Sequence, residues 1–594
     1  MRRVKNANAI NSTKFKTENK TILKLKEMVK EFRNKNLFYL EHSKFATYVP
    51  NEYLSVFKEE VVEFSKSWIR MQQKNMSSEK NPGIEGHANT RGLHVMDTAV
   101  NAEIVAEELL LNKDLAFIGG LIHDIAHTSF AHEGEHFLSE YLKKNGICEI
   151  HHSSLARLLL EIEGIHQNVL KRIEEKKGRP LTKRELKSYK SAFLSISDIA
   201  VCHNGEGGLT EVAINRNKTD KDVEDEYIRT FVEKGLDRKT RNRTKEGAVV
   251  LFCDPISYVA KDFRDGIFKK IVNVNDSEYE NLFMRLGLTK EQLDKWSTEG
   301  NKKDKIVAWV TRRLRDNLVE NSRGIDGIKM ERDVASLMYE LRGLNYEKAV
   351  KPGLRKINDI LPERTEQLID KYSDMLIKYE SDETPDDLQL NRYSSKMLKK
   401  FTAKKRDTVE EIYEKIVRQG IAENVKREVD DVLNGTKENI TNRRTRIEED
   451  IAELKNNGEI TENVKQAYIN RLLKEIALSP EESKELLTKR IKLKYPDAND
   501  TEIDELKKKN ENLRLQTYAE CLAKLKVAIY VGESSNDFFL DMLQSEGLIS
   551  EEEMRQRYEL GADPEKSSIR KTIKIQQEEK AEETRKNKNS GEGR

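Results

Sequence analysis

The sequence is poor in whatever would break a helix or staple a small fold. Its 594 residues include 10 prolines, 29 glycines and four cysteines. Cys148, Cys202, Cys253 and Cys521 are scattered and form no CxxC pair, which excludes a disulfide scaffold or thiolate zinc cluster and predicts a reduced, cytosolic chain. No apolar run approaches the roughly 20 residues that cross a bilayer. The first stretch, MRRVKNANAINSTKFK, has no apolar signal core, so no membrane partner is expected. Neither sign of charge prevails: 106 Lys and Arg against 104 Asp and Glu leave +2, too little to commit the chain to nucleic acid or an anionic surface. Histidine is missing from residues 204–594 altogether. All eleven lie between His42 and His203, so any imidazole chemistry is concentrated there.

What remains is 35% charged and 37% hydrophobic, rich in Glu, Lys, Leu and Ile, a balance that predicts a mainly α fold. LKLKEMVKEF and EYLSVFKEEVVEFSKSWIRM carry apolar residues at helical spacing, within an N-terminal helical segment taken as 1–85. A polar loop, KNMSSEKNPGIEGHANTRG, leads to His94. Val95, Ala99, Ala102, Val105, Ala106 and Leu109 then trace one helical stripe, which puts His94 in the first turn of a packed helix. The next helix delivers His123 and Asp124, and EHFLSEYLKK, SSLARLLLEIEG and KSYKSAFLSISDIAVC read as further helices. Residues 214–247 are polar and read as an insertion in a unit spanning 86–375. Residues 376–575 read as charged, exposed helices supported by Glu-to-Lys/Arg neighbours, and 576–594 as a disordered tail.

The stretch LIHDIAHTSFAHEGE, residues 121–135, packs three histidines and three acids behind an apolar run. Such groups are costly to desolvate unless they are paired or bound to a metal. His123 and Asp124 can reach a common point if it lies at the end of their helix, and His94 would add a ligand from a second helix. Imidazoles and carboxylates without thiolates suit Mn, Fe, Ni, Co or Zn, and Mg is carried as a further candidate. A fourth ligand is wanted, and Asp254, an acid inside the apolar VVLFCDPISYVAKDF, fits. Asp254, Tyr258 and Asp262 recur at four-residue spacing on one helical face. A plainer reading makes Tyr258 core and Asp262 solvated. Pro255 predicts a kink or helix start at Asp254.

Taken together, these residues resemble the HD-domain deoxynucleoside triphosphate triphosphohydrolases. HDIAHTSFAHEGE is similar to their HDIGHxPFGHxGE, TRGLH (90–94) to TRLTH, HHSSLAR (151–157) to HNxQSxR, CHNG (202–205) to KHNG, and Asp254-Tyr258-Asp262 to DxxxYxxxD. The resemblance covers about residues 90–270. The chain departs from it at Ala126, where Gly is usual, at Thr128-Ser129, where Pro is common, and at Pro255, where a charge is frequent.

The resemblance implies an HD-domain helical bundle with additional charged helical regions. It implies metal-dependent hydrolysis of a dNTP, with dGTP as a candidate preference, to deoxynucleoside and triphosphate. His94, His123, Asp124 and Asp254 would be metal ligands. His132 and Glu135 would activate water, His127 would face the phosphates, and His151 (chosen over His152 by its spacing to Arg157) would protonate the leaving group. Arg91 would bind phosphate, and Tyr258 and Asp262 would line the sugar. His203 and Asn204 would contact substrate, although His203-Asn204-Gly205 can equally be a helix C-cap. The resemblance further implies a homo-oligomer, tetramer or hexamer, with an allosteric nucleotide or single-stranded DNA as further ligands. His42, His87, His136 and His166 read as ordinary surface or packing residues.

Two alternatives stand beside this reading. One is another HD phosphohydrolase, acting on a cyclic dinucleotide or a guanosine alarmone. The other is a nucleotide-sensing regulator that keeps the fold without the chemistry. The basic stretches at 237–245 and 442–446 lack interleaved aromatics and read as solvated loops rather than nucleic-acid contacts.

Overall fold

The computed structural model describes residues 37–40, 47–67, 91–204, 210–268 apart from 234, 237 and 238, 271–350, 361–380, 390–402, 407–434, 442–455, 460–476, 498–509, 518–534 and 536–550, with residues 485, 488, 489, 492 and 496. The expected helix LKLKEMVKEF, the loop before Thr90, His42, His87, Gly205 and the tail from 576 lie outside the described residues.

The chain is almost wholly helical. A short antiparallel pair, β1 (Leu37–Leu40) and β2 (Thr47–Pro50), precedes α1 (Asn51–Ser67). Next come α2 (Arg91–Glu108), α3 (Lys113–Ile122), α4 (Ala131–Lys144), α5 (His152–Ile162), α6 (Ile165–Lys177) and α7 (Lys183–Val201). Then follow β3 (Glu211–Val212), α8 (Asp220–Arg229), α9 (Lys245–Phe268), α10 (Ser277–Arg285), α11 (Lys290–Thr298) and α12 (Lys302–Ser322). β4 (Ile328–Lys329) pairs antiparallel with β3, Val212 opposite Ile328, and is followed by α13 (Arg332–Asn345). The C-terminal part holds α14 (Leu361–Glu380), α15 (Arg392–Thr402), α16 (Asp407–Leu433), α17 (Asn442–Lys455), α18 (Glu462–Ile476), α19 (Asp500–Lys509), α20 (Tyr518–Gly532) and α21 (Asn536–Ser545). Among the described residues, no helix is long and apolar enough to cross a membrane.

The core is built around α9, which packs against α2, α3, α7, α12 and α13. A helix enclosed on so many sides should be apolar nearly all round, and α9 buries an unbroken run from Gly247 to Ser257. Gly120 explains how α2 and α3 meet. A Cβ there would stand 2.5 Å from the Ala99 Cα, so only glycine lets the two backbones approach this closely. That approach brings the start of α2 beside the end of α3, the two places where His94 and His123 sit.

Two expectations change in the folded chain, and one polar segment proves partly buried. Helix α9 neither starts nor stops at Pro255 but runs through it from Lys245, because packing on every side holds a helix that has lost one backbone bond. The polar segment 214–247 nevertheless buries a charge. Arg243 is fully buried there, with Nη2 donating to Ser191 O (2.6 Å) and Ser195 Oγ (2.8 Å), and Nη1 to Asp220 Oδ1 (2.7 Å). A guanidinium supplied with this many fixed acceptors can be buried. The charged helices from 376 onward are also not simply exposed. Val409, Tyr413, Ile416, Val417, Ile421, Val425 and Val429 are buried along α16, which packs on α8, α17, α18 and α20. The expected boundary after residue 375 falls inside α14.

Candidate metal centre and active site

His94 lies in the first turn of α2, while His123 and Asp124 follow directly on the end of α3. Asp254 comes from the middle of α9. All four are buried and converge. His94 Nε2 is 2.8 Å from Asp254 Oδ1, 3.3 Å from His123 Nε2 and 3.5 Å from Asp124 Oδ2. His123 Nε2 is 3.3 Å from Asp254 Oδ1 and 3.8 Å from Asp124 Oδ2. Donors at about 2.1 Å from one cation stand about 3.0 Å apart as octahedral neighbours and about 3.4 Å apart in a tetrahedron. His94, His123 and Asp124 offer ligand atoms within 4.8 Å of one another, the reach of one metal shell, and Asp254 stands against its two imidazoles.

The protonation pattern fits as well. His123 Nδ1 is 2.7 Å from Gly120 O and donates to it, which leaves Nε2 as a lone pair aimed inward. Asp254 Oδ1 makes no hydrogen bond despite its short approach to His94. An orphaned carboxylate oxygen in apolar surroundings is expensive, and a divalent cation would satisfy it. Desolvation works against a charged His123, but Asp124 and Asp254 overcome it and lift the pKa to about 9. Burial likewise opposes ionisation of Asp254, and the His123 and His94 rings outweigh it to hold that carboxyl well below its usual range.

These shifts fix the sign of a pH effect. A His123 with a pKa of about 9 carries a proton at pH 7 when no cation is bound, so cation binding must expel it. Calorimetric titration of Mn at pH 7, in buffers of different ionisation enthalpy, should report about one proton released per ion, and affinity should fall about tenfold for each pH unit below the His123 pKa. Proton-neutral binding at pH 7 would contradict the ligand role of His123.

A second cluster begins at the other oxygen of Asp124. Its Oδ1 is 3.2 Å from His127 Nε2, 3.5 Å from His152 Nε2 and 3.6 Å from His203 Nε2. His152 Nδ1 donates to Glu135 Oε2 at 2.7 Å, and its ring stacks on His127 with centroids 3.9 Å apart. His203 Nδ1 donates to Ala200 O at 2.5 Å, which turns its Nε2 to within 3.0 Å of His152 Nε2. His132 stands at the edge, with 68% of its side chain open to the recess and Nδ1 4.0 Å from Glu135 Oε2. Protein atoms still crowd the recess around the ring. Desolvation, followed by repulsion from His152, lowers its pKa to about 4, so His132 is neutral at pH 7. Burial, and then repulsion from Arg91, holds His127 well below the usual imidazole range, so it is neutral too.

The structure thus brings His94, His123, Asp124, Asp254, His127, His132, Glu135 and His203 into one connected cluster, with Arg91 paired to Asp124. It brings in His152 rather than His151. His151 is the extended residue that caps α5, and its Nδ1 lies 3.3 Å from Glu135 Oε1 at the rim. Helical spacing back from Arg157 does not apply to a cap, so the sequence could not choose between the two. Tyr258 lies beside His94, ring centroids 5.9 Å apart, and Asp262 follows one turn along α9, half-buried. Asn204 donates to Ser153 Oγ at 3.0 Å, tying the end of α7 to α5. Arg342 on α13, its guanidinium 5.7 Å from the Tyr258 ring, had no signal in the sequence.

Residues 91–229 match the HD domain family. The chain carries an HD domain. The match takes in every site residue named above except Asp254, Tyr258, Asp262 and Arg342, which the fold adds from α9 and α13. The chain is also similar to curated deoxyguanosinetriphosphate triphosphohydrolase-like proteins. It is 30% identical to one from Rickettsia typhi over 193 residues, 32% of this chain and 41% of the relative. It is 25% identical to one from Rickettsia bellii over 264 residues, 44% and 59% of the two chains, and 27% identical to one from Clostridium tetani over 292 residues, 49% and 65%. The chain spans about half the length of the curated relatives it matches.

Proposed function

We propose that the protein is a metal-dependent phosphohydrolase that cleaves deoxynucleoside triphosphates to deoxynucleoside and intact triphosphate. The observation that carries this reading is the pairing of two clusters through Asp124: a metal-spaced set on one carboxylate oxygen and a set of imidazoles on the other. The relatives' name supports the substrate class. His94, His123, Asp124 and Asp254 would hold a divalent ion (Mn, Mg, Fe, Ni, Co or Zn), which when bound supplies a Lewis acid at the α-phosphate.

The chain's own residues do the rest. Arg91 has a buried Nε without a hydrogen-bond partner and offers it to phosphate oxygens. His127, neutral and buried, donates or accepts along the phosphate chain. Glu135 fixes the His152 tautomer, so that His152 Nε2 and the neighbouring His132 are the groups placed to take the proton of an attacking water. Tyr258 lies under the sugar and Asp262 accepts its 3′-hydroxyl. The same proposal covers a dGTP preference, a homo-oligomer and a cytoplasmic setting.

The test is product identity. Purified protein with each dNTP and Mn or Mg should yield deoxynucleoside and tripolyphosphate on anion exchange, without mono- or diphosphate. Release of phosphate or pyrophosphate would sink the reading. Deoxynucleotides should exceed ribonucleotides, and 2′,3′-dideoxynucleotides should be poor substrates, since an unpaired buried acceptor costs about 1–3 kcal/mol. Asp262→Ala should blunt both discriminations.

One observation favours a second reading. Asp124 Oδ1, His152 Nε2 and His203 Nε2, at 3.5, 3.6 and 3.0 Å, are themselves spaced like cation ligands. Two cations clamping attacking and leaving oxygens would suit an HD phosphohydrolase that opens a cyclic dinucleotide. Two ions per chain by elemental analysis, with cyclic dinucleotide turnover, would favour it. One ion per chain favours the triphosphohydrolase.

A further inference from the structure

The turn Thr128–Phe130 joins His127 to His132, so its placement sets how these two rings face each other. Thr128, Ser129 and Phe130 are all buried. The turn is held from two sides. On one side the Ser129 carbonyl lies against α4 at Gly134, where a Cβ would stand 1.7 Å from Ser129 O, so only glycine fits at that position. On the other side lies the end of α20, some four hundred residues later in the chain. Ser129 N donates to Gly532 O at 2.9 Å, and Ser129 Oγ donates to Ser534 O at 2.5 Å.

The segment that accepts these bonds is itself fixed. Ser534 Oγ donates to Val531 O at 2.6 Å, and the nearly buried Glu533 carboxylate pairs with Lys400 Nζ on α15 at 2.5 Å. Phe130 adopts a left-handed backbone, φ 62°, a conformation that costs a residue with a side chain about 1–3 kcal/mol. Its ring packs edge-on against Phe539 of α21, centroids 5.8 Å apart. Ser129 also falls where the chain departs from the motif it resembles, in which proline is common. A proline there could offer neither the N–H nor the hydroxyl that reaches the C-terminal segment.

We infer that the C-terminal segment Val531–Ser534 is a positioning element of the active site, which clasps Ser129 and thereby sets His127 against His132. Ser129, through its two donors, is the positioning residue. The C-terminal helices therefore act on turnover at a distance from any contact with substrate. The catalytic half of this inference rests on the proposed activity, whereas the clasp itself does not.

The experiment compares full-length wild type, Ser129→Ala, Ser129→Pro and Ser129→Thr by hydrogen-exchange mass spectrometry and by steady-state kinetics with dGTP and Mn. Ser129→Ala should speed amide exchange in the peptide around 128–132 about tenfold, the equilibrium weight of one hydrogen bond. It should lower kcat by a similar factor, with KM within about twofold and bound metal unchanged. Ser129→Pro should exceed it on both counts. Ser129→Thr keeps both donors and should restore exchange protection and kcat. Unchanged exchange in Ser129→Ala overturns the clasp. Faster exchange with unaltered kcat overturns its positioning role, and so does a parallel rise in KM or loss of metal. A wild-type protein inactive on every dNTP would fell the proposed function, and the exchange measurements would then decide the clasp alone.

Discussion

His123→Ala should leave the protein without its divalent cation and without measurable turnover, while the helical signal in circular dichroism stays close to wild type. His123 Nε2 is within 3.3 Å of both His94 Nε2 and Asp254 Oδ1 and within 3.8 Å of Asp124 Oδ2, so its removal opens the shell in the middle. A Lewis acid is worth several kcal/mol to the reacting phosphate, so the loss should be about 10³-fold or more in kcat. His94→Ala, Asp124→Ala and Asp254→Ala should behave alike. Folding should survive, because α2, α3 and α9 are held together by the Gly120–Ala99 approach and the apolar run of α9 rather than by the ligands. Asp254→Asn separates charge from shape. It keeps the volume but removes one of the carboxylates that raise His123, so the ring should hold its proton less firmly and the cation should still be lost. Elemental analysis after gel filtration checks each variant, and full metal content in any one removes that residue from the shell.

The residues of the candidate metal cluster were legible because their signals are local. His123-Asp124 ends an apolar helix, His94 opens a stripe, and Asp254 is the only acid within Val249–Ser257. Each also lies at a helix end or in a buried run, where an unpaired charge would otherwise be untenable. The proton-handling side was only half legible. His151 and His152 are adjacent, and the choice turns on where α5 starts, which the sequence leaves open by a residue. The burial within residues 214–247 was not legible, because their composition is polar. Arg243 is buried by acceptors on α7 and α8, Ser191, Ser195 and Asp220, and nothing in its own neighbourhood announces them. The charged C-terminal helices hid their role for a related reason. An exposed face dominates their composition, whereas the contact that reaches the site is made by the backbone carbonyls of Gly532 and Ser534, which carry no sequence signature.

The pair Glu135 and His152 offers the sharpest division between binding and chemistry. Glu135 Oε2 lies 2.7 Å from His152 Nδ1 and 3.2 Å from the His152 backbone nitrogen, so it fixes both the tautomer and the helix start that carries the ring. Burial opposes the charge on Glu135, but His152 and His151 outweigh it and keep the carboxylate ionised far below neutral pH. The ring of His152 is therefore held with its proton on Nδ1 and its Nε2 toward Asp124 and His203. Glu135→Gln preserves the shape but can no longer compel that tautomer, and His152→Ala removes the ring. Both should retain metal and bind dGTP with near wild-type affinity, because neither residue belongs to the shell of His94, His123, Asp124 and Asp254. Both should lose turnover by about 10²- to 10⁴-fold, the usual worth of a positioned acid or base. His151→Ala should cost far less, since that ring meets the outer oxygen of Glu135 and the Glu149 carboxylate. Calorimetric dGTP binding beside single-turnover rates makes the distinction. Equal losses in the His151 and His152 variants would return the role to the cap residue, and a loss of metal in Glu135→Gln would mean that the two clusters are a single coordination unit.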